Sequence, residues 1–182
     1  TGVQTCALPI WLEGRTLRSV RITWHEDVRA WHPGQRWLWE PGGFGVFDPG
    51  INALSVAARI LPRRLSVRSA LLSVPVNCAT PIAAEVEMTD AAGTPIAMSM
   101  DFLQEGAATW DIEVHADAGL LLLSRGGERL SIDGRQVRLP SSAEYPALYA
   151  HFAGLIARGT CDADPLPLEL ATEALRIGRR TP

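Results

Sequence analysis

The chain has 182 residues, a formal net charge of −3 at pH 7, and 47% hydrophobic against 20% charged residues. That is enough for one domain with a real core, and the charge gives no electrostatic basis for binding nucleic acid or an anionic membrane. All 17 basic residues are arginine, which excludes a Schiff-base or phosphate-loop lysine from within the chain and suits a GC-rich bacterial coding sequence.

Residues 1–10, TGVQTCALPI, resemble the translation of a common sequencing adapter. They are set aside from fold reasoning, Cys6 with them, and the protein is expected to continue upstream. The remaining cysteines, Cys78 and Cys161, match no zinc or CxxC spacing and form no disulfide framework. No apolar run reaches the roughly 18 residues of a membrane span, so a cytoplasmic protein is expected.

Leu17 to His25 reads as a strand, with Val20, Ile22 and Trp24 alternating against Arg21 and Thr23. A loop from Glu26 to Phe47 follows, rich in Trp, Pro and Gly. Asp48 then looks like a helix N-cap with Pro49 at the first helical position. Ile51, Leu54, Ala58 and Leu61 recur at helical spacing up to a stop at Pro62. Strand-like runs come next: Leu65 to Val74, Ala83 to Met88, Ile96 to Leu103, Thr109 to Val114, Gly119 to Ser124, Arg129 to Ile132 and Gln136 to Leu139. Turn signals such as Asp133-Gly134 separate them, and the order suggests a largely antiparallel meander. Ser142 is placed to cap a helix with Tyr145, Leu148, Phe152 and Ile156 on one face and Gly159 as its stop. Leu168 to Ile177 reads as a last helix, and Arg179-Arg180 as a solvated turn. A helix, then strands, then helices is an α+β pattern.

Several residues carry chemistry. In EPGGFGVFDPGIN, Glu40 to Asn52, Gly43 and Gly45 begin a dinucleotide fingerprint, but Asp48 stands where the third glycine is required, so the loop does not qualify. Asp48 and Asn52, four apart, share one face of a first helical turn. The carboxylate can accept a proton and the amide can donate and accept hydrogen bonds without titrating. On spacing alone, a cap with a solvated polar neighbour is the plainer reading. Glu26, Trp31 and His32 lie near Trp24, Trp37 and Trp39; aromatic faces with polar neighbours suit sugar rings, although each residue singly reads as packing or a surface pair. His25, Glu26 and Asp27 do not make a metal site, because neighbours in a strand point to opposite faces, and no metal-ligand spacing occurs elsewhere.

The stretch VRITWHEDVRAWHPGQRWLWEPGGFGVFDPGINALS, Val20 to Ser55, closely resembles the L-arabinose and D-galactose 1-dehydrogenases of the glucose–fructose oxidoreductase and inositol dehydrogenase superfamily. Asp48 and Gly50 match the superfamily pattern, and Asn52 stands where histidine is usual, as in the sugar 1-dehydrogenase branch. Asn52 therefore cannot be the acid/base residue. The resemblance implies an open, mostly antiparallel sheet with helices on one face over residues 11–182, its pocket facing a Rossmann domain that this chain lacks. It implies that Asp48 and Asn52 face the sugar's reacting end, that Glu26, Trp31 and His32 line the pocket, and that Trp110 in ATWDIEV is a further wall. It also implies NAD or NADP bound mainly by the absent domain, a catalytic lysine from that domain, and a homodimer through the sheet. The expected reaction is oxidation of a pyranose at C1 to the lactone, with the fragment alone inactive. Two rival readings are a non-catalytic sugar-sensing regulator of the same superfamily and a stand-alone sugar-binding module.

Overall fold

The computed structural model describes residues 11–138 and 144–182. Nine strands form a single open sheet: β1 (Leu17–His25), β2 (Leu65–Ser73), β3 (Ala83–Asp90), β4 (Pro95–Asp101), β5 (Thr109–Ala116), β6 (Gly119–Ser124), β7 (Arg129–Ile132), β8 (Arg135–Val137) and β9 (Arg179–Thr181). Four α-helices accompany them: α1 (Val28–Trp31), α2 (Phe47–Ile60), α3 (Glu144–Arg158) and α4 (Leu166–Ile177). The expected cap Ser142 and the strand residue Leu139 lie outside the described residues.

The alternation of apolar and polar side chains gives the sheet one dry face. A row of paired residues crosses it: Ala70, Val86, Met98, Ile22, Ile112, Leu123, Leu130 and Val137. All but Val137 are buried. The buried sides of α2 (Ala53, Leu54, Ala57, Ile60) and α4 (Leu170, Ala171, Ala174) complete this core. The opposite face carries Arg21, Glu85, Glu87 and His115, all exposed, so the α+β class and the helices on one side follow from the pattern of burial.

The strand order is β8-β7-β6-β5-β1-β4-β3-β2-β9. Two antiparallel meanders, β2 to β4 and β5 to β8, are present, but they are not joined as one. β1, first in the chain, lies between them, antiparallel to β5 and parallel to β4. The two basic residues read as a solvated turn, Arg179 and Arg180, instead pair in β9, parallel to β2. The loop after β1 also carries more order than its composition suggests: Asp27 caps α1 by accepting the Arg29 amide, and Arg36–Trp39 form a 3-10 turn.

The helix α2 begins before Asp48, not at it. Phe47 N–H and Asp48 N–H donate to Phe44 and Gly45 carbonyls, so the turn Phe44–Val46 starts the helix and Val46 is its cap. Asp48 thus lies in the first turn with its side chain free of capping duty, and Pro49 costs nothing there because first-turn amides have no intrahelical partner. Gly45 anchors this start. Its φ is +55°, and a Cβ at this position would collide with the Pro81 carbonyl oxygen, whose acceptor is already taken by Val46 N–H at 2.8 Å. One turn on, a Cβ on Gly50 would meet the Met100 sulfur, so glycine lets the first turn rest directly on β4.

The C-terminal stop of α3 is as expected: Gly159 takes φ +60° and Thr160 N–H reaches back to Leu155. Its stripe of Tyr145, Leu148, Phe152 and Ile156, however, is 55–67% exposed. A 15-residue helix is marginal on its own, and no sheet surface buries this one.

The β3–β4 turn is pinned by a buried carboxylate. Asp90 accepts Ala92 N–H and Thr94 N–H, both at 2.9 Å, and the Thr94 hydroxyl at 3.0 Å, with Arg63 3.6 Å away. Burial pushes its carboxyl up, but these hydrogen bonds and the guanidinium together hold it below the ordinary value of 3.8.

Two outcomes are expected. Gly45→Ala should destabilise the fold by about 3 kcal/mol, combining roughly 1–2 for a left-handed non-glycine residue with about 1–3 for overpacking; chemical denaturation measures this, and a loss below about 1 kcal/mol would contradict the anchoring. Because the folded Asp90 carboxyl is depressed, its stabilisation is present above the unfolded value and is lost as pH falls through the folded value. Asp90→Asn should therefore lower Tm at pH 7, and the gap from the parent should narrow below about pH 4. A gap constant from pH 7 to pH 3 would show that the charge is not what matters.

Candidate active site

The end of β1 and the start of α2 meet over the sheet beside an open cleft of about 1290 Å³. Glu26, Trp31, His32, Asp48, Asn52 and Trp110 all line it. The structure thus brings together every site residue singled out in the sequence, from four elements or their junctions. The mechanism of assembly is the sheet register. Trp24 and Trp110 are direct cross-strand partners, with ring centroids 5.9 Å apart and stacked. Trp31 meets Trp110 edge-on at 4.6 Å and is itself half exposed. Aromatic pairs at these separations stabilise beyond their buried area, and here they form one rigid apolar wall.

Glu26 is the buried charge of the site, 2% exposed. Its amide donates to Asp101 O at 2.9 Å, which turns its side chain from the strand toward the cleft. One carboxylate oxygen accepts Trp110 Nε1–H at 2.9 Å; the other faces His32 Nε2 at 2.7 Å. His32 lies over the ring of Phe102, centroids 5.5 Å apart. Its Nδ1 is 3.2 Å from Gln35 Oε1 and 3.9 Å from Asp48 Oδ2. His25, the strand neighbour of Glu26, points to the other face and meets Ser99 Oγ at 2.8 Å.

Asp48 and Asn52 project into the cleft from successive turns of α2, with Ile51 and Ser55 alongside. The Asp48 side chain is about one third exposed. On this side the cleft presents the Asp48 carboxylate, the Asn52 amide and the His32 imidazole edge against an indole wall. Such a set can accept a proton at Asp48 and hydrogen-bond hydroxyls at Asn52 and His32, while an apolar ring face stacks on tryptophan.

Other residues of the site carried no sequence signal. Gln35, which meets His32 Nδ1 without lining the cleft, reads only as loop. Arg125 to Gly127 reads as a turn, yet Arg125 holds a left-handed φ of +54°, and the α-carbon region of Gly126 lies against Trp110 and Trp24. Asp162 and Asp164 reach the cleft from the α3–α4 connection, and Asp162 pairs with His151. His32 is the one histidine whose ring enters the cleft.

The glycine-bearing loop before α2 does not form a pyrophosphate cradle. Side chains at Gly43 would strike the carbonyls of Trp37 and Leu38, and at Gly45 that of Pro81. These glycines therefore serve chain-to-chain approach, leaving no cradle for a pyrophosphate, and the helix start they precede carries the carboxylate of Asp48.

No family model matches the chain. It is 47% identical over 170 residues to a galactose 1-dehydrogenase of Pseudomonas fluorescens, an alignment covering 93% of this chain and 56% of that relative. Its structure superposes on the crystal structure of D-galactose-1-dehydrogenase from Rhizobium etli with a TM-score of 0.92 and 44% identity, over 98% of this chain and 57% of that one. The 3-ketoreductase KijD10 of Actinomadura kijaniata, solved with TDP-benzene and NADP, shares the fold at a TM-score of 0.72 and 16% identity, over 97% of this chain and 58% of its own. The chain thus spans a little over half the length of the relatives it matches. Over nearly all of its own length it is similar in sequence to galactose 1-dehydrogenases and shares the fold of the matched part of the Rhizobium etli D-galactose-1-dehydrogenase.

Proposed function

We propose that this chain is the sugar-recognising part of a nicotinamide-dependent aldose 1-dehydrogenase that oxidises a pyranose at C1 to its lactone. The observation that carries the reading is the juxtaposition of Asp48 and Asn52 on α2 with the Trp24–Trp31–Trp110 wall across one cleft, in a chain 44–47% identical to galactose 1-dehydrogenases. D-Galactose is the first substrate to test, with L-arabinose next because the two pyranoses share their ring stereochemistry and differ by the C6 group.

In this reading each side chain takes a role suited to its chemistry and its place in the cleft. Trp31 and Trp110 stack on the CH face of the ring and exclude water. Asn52 hydrogen-bonds a hydroxyl near C1, and His32 another around the ring. Asp48, its carboxyl group open to the cleft, accepts or passes on the proton of the C1 hydroxyl. Glu26 belongs to substrate binding through the two groups it holds. The cleft exceeds the roughly 300–1,000 Å³ usual for small-molecule pockets, leaving space beside a monosaccharide for a second reactant. That reactant, NAD or NADP, belongs in this reading to the part of longer relatives that the chain does not span, as does a lysine beside Asp48. Residues 1–10 stand outside the domain in this reading, which places the protein in the bacterial cytoplasm and a homodimer contact on the open face of the sheet.

The regulator reading has no observation in its favour, since the relatives at 44–47% identity are named dehydrogenases. In the full-length gene product, D-galactose should be oxidised with NAD or NADP, and Asp48→Asn should lower kcat by about 10²–10⁴-fold while KM moves only a few-fold. Steady-state kinetics decide the matter: turnover within twofold of the parent would remove Asp48 from the chemistry, and no aldose oxidation by the parent would remove the function.

A further inference from the structure

His32 is gripped at both ring nitrogens, and the two grips differ in kind. Nε2 faces a buried carboxylate oxygen of Glu26 at 2.7 Å. A carboxylate is acceptor only, so Nε2 must carry a proton. Nδ1 faces the side-chain amide of Gln35 at 3.2 Å. An amide presents its carbonyl to a protonated Nδ1 or, turned over, its NH2 to a bare one. The amide therefore serves either charge state of the ring without moving it. The second Glu26 oxygen is committed to Trp110, whose indole N–H can only donate, so the carboxylate cannot rotate away. The buried Phe102 ring packs beside the imidazole at a tilt, centroids 5.5 Å apart. The outcome is a ring whose Nδ1 edge is aimed between Gln35 and Asp48, the latter 3.9 Å off.

We infer that Glu26 and Gln35 are positioning residues that clamp His32 in its Nε2–H form and present its Nδ1 edge to Asp48, with Trp110 locking the clamp. Glu26 then acts on the site through His32 and the indole wall. Gln35 acts by accommodating changes of charge at the Nδ1 edge. The inference deepens the proposed function and rests on it for the consequence at the sugar, but the clamp itself is a property of this chain.

The clamp makes a sharp distinction between two isosteric side chains. In Glu26→Gln, the amide carbonyl must serve the obligate donor Trp110, which leaves the NH2 facing His32. Nε2 must then accept, and the proton moves to Nδ1. Long-range 1H–15N correlation spectra of the histidine rings in this 182-residue chain read that proton directly. The expected result is a proton on Nε2 of His32 in the parent and none on that nitrogen in Glu26→Gln. A variant that keeps Nε2–H overturns the clamp. If Glu26→Gln does not fold, Gln35→Glu at the half-buried loop position supplies the second test. It sets a carboxylate against Nδ1 while Glu26 stays in place, so the proton on Nε2 should persist; its loss from Nε2 overturns the inference.

In the full-length protein, Glu26→Gln should reduce kcat/KM for D-galactose by about tenfold or more, the order of effect that follows from a misaimed group in a site. A tautomer switch with kcat/KM unchanged within twofold would show that the clamp does not act on the site, and the positioning role falls. An intact clamp in a full-length protein that oxidises no aldose would overturn the proposed function and leave the clamp standing.

Discussion

The pocket is organised around one carboxylate almost wholly removed from water. An unpaired charge there would cost several kcal/mol, so the fold must bring donors to both oxygens of Glu26. The donors come from distant parts of the chain: Trp110 from β5 and His32 from just beyond α1. Hydrogen bonds to charged groups are each worth about 1.5–3 kcal/mol. Satisfying this group therefore stabilises the loop from Glu26 to Phe47 and orients the indole that Trp24 and Trp31 pack against. Loop order, aromatic wall and imidazole direction are consequences of a single electrostatic requirement.

Opposite this loop stands the first turn of α2, and its position is a matter of sterics. The sheet is dry on one face only, so α2 must lie close to it to bury Ala53, Leu54 and Ala57. Gly45 brings the helix start against Pro81, and Gly50 sets its first turn on Met100. Asp48 and Asn52, on the side of the helix turned to the cleft, inherit their height above the sheet from these two glycines. The site is thus a polar face and an aromatic face held apart by backbone approach distances.

Much of the sheet was legible in the sequence because strand alternation is a local signal: Leu17–His25, Gly119–Ser124 and Arg129–Ile132 have the bounds their patterns suggest. The partners of each strand were not legible, since the insertion of β1 between β5 and β4 depends on residues about 70 to 100 positions away. A preference was also overridden. Asp48 and Pro49 look like a helix start, yet the turn at Phe44–Val46 begins the helix earlier and frees the carboxylate. Within the site, Glu26, Trp31, His32, Asp48, Asn52 and Trp110 could be named beforehand, five of them from residue chemistry or spacing as well as the resemblance and Trp110 through the resemblance alone. Gln35 could not, because a loop glutamine acquires meaning only from the ring nitrogen it faces. The apolar stripe of α3 was read correctly as a stripe, but periodicity does not say what, if anything, lies against it.

The central place of β1 has a consequence for how the molecule comes into being. Of the nine strands β1 is synthesised before the other eight, with Glu26, His32 and Asp48 close behind, but its flanking strands end only at Asp101 and Ala116. Until then the strand has no edge to join, and Glu26 has neither Asp101 for its amide nor Trp110 for its carboxylate. Non-local pairings of this kind carry the largest loop-closure cost and form slowly. The segment richest in chemistry is therefore translated ahead of its partner strands and sealed after them, and the aromatic run from Trp24 to Trp39 spends that interval without the wall it is built to complete.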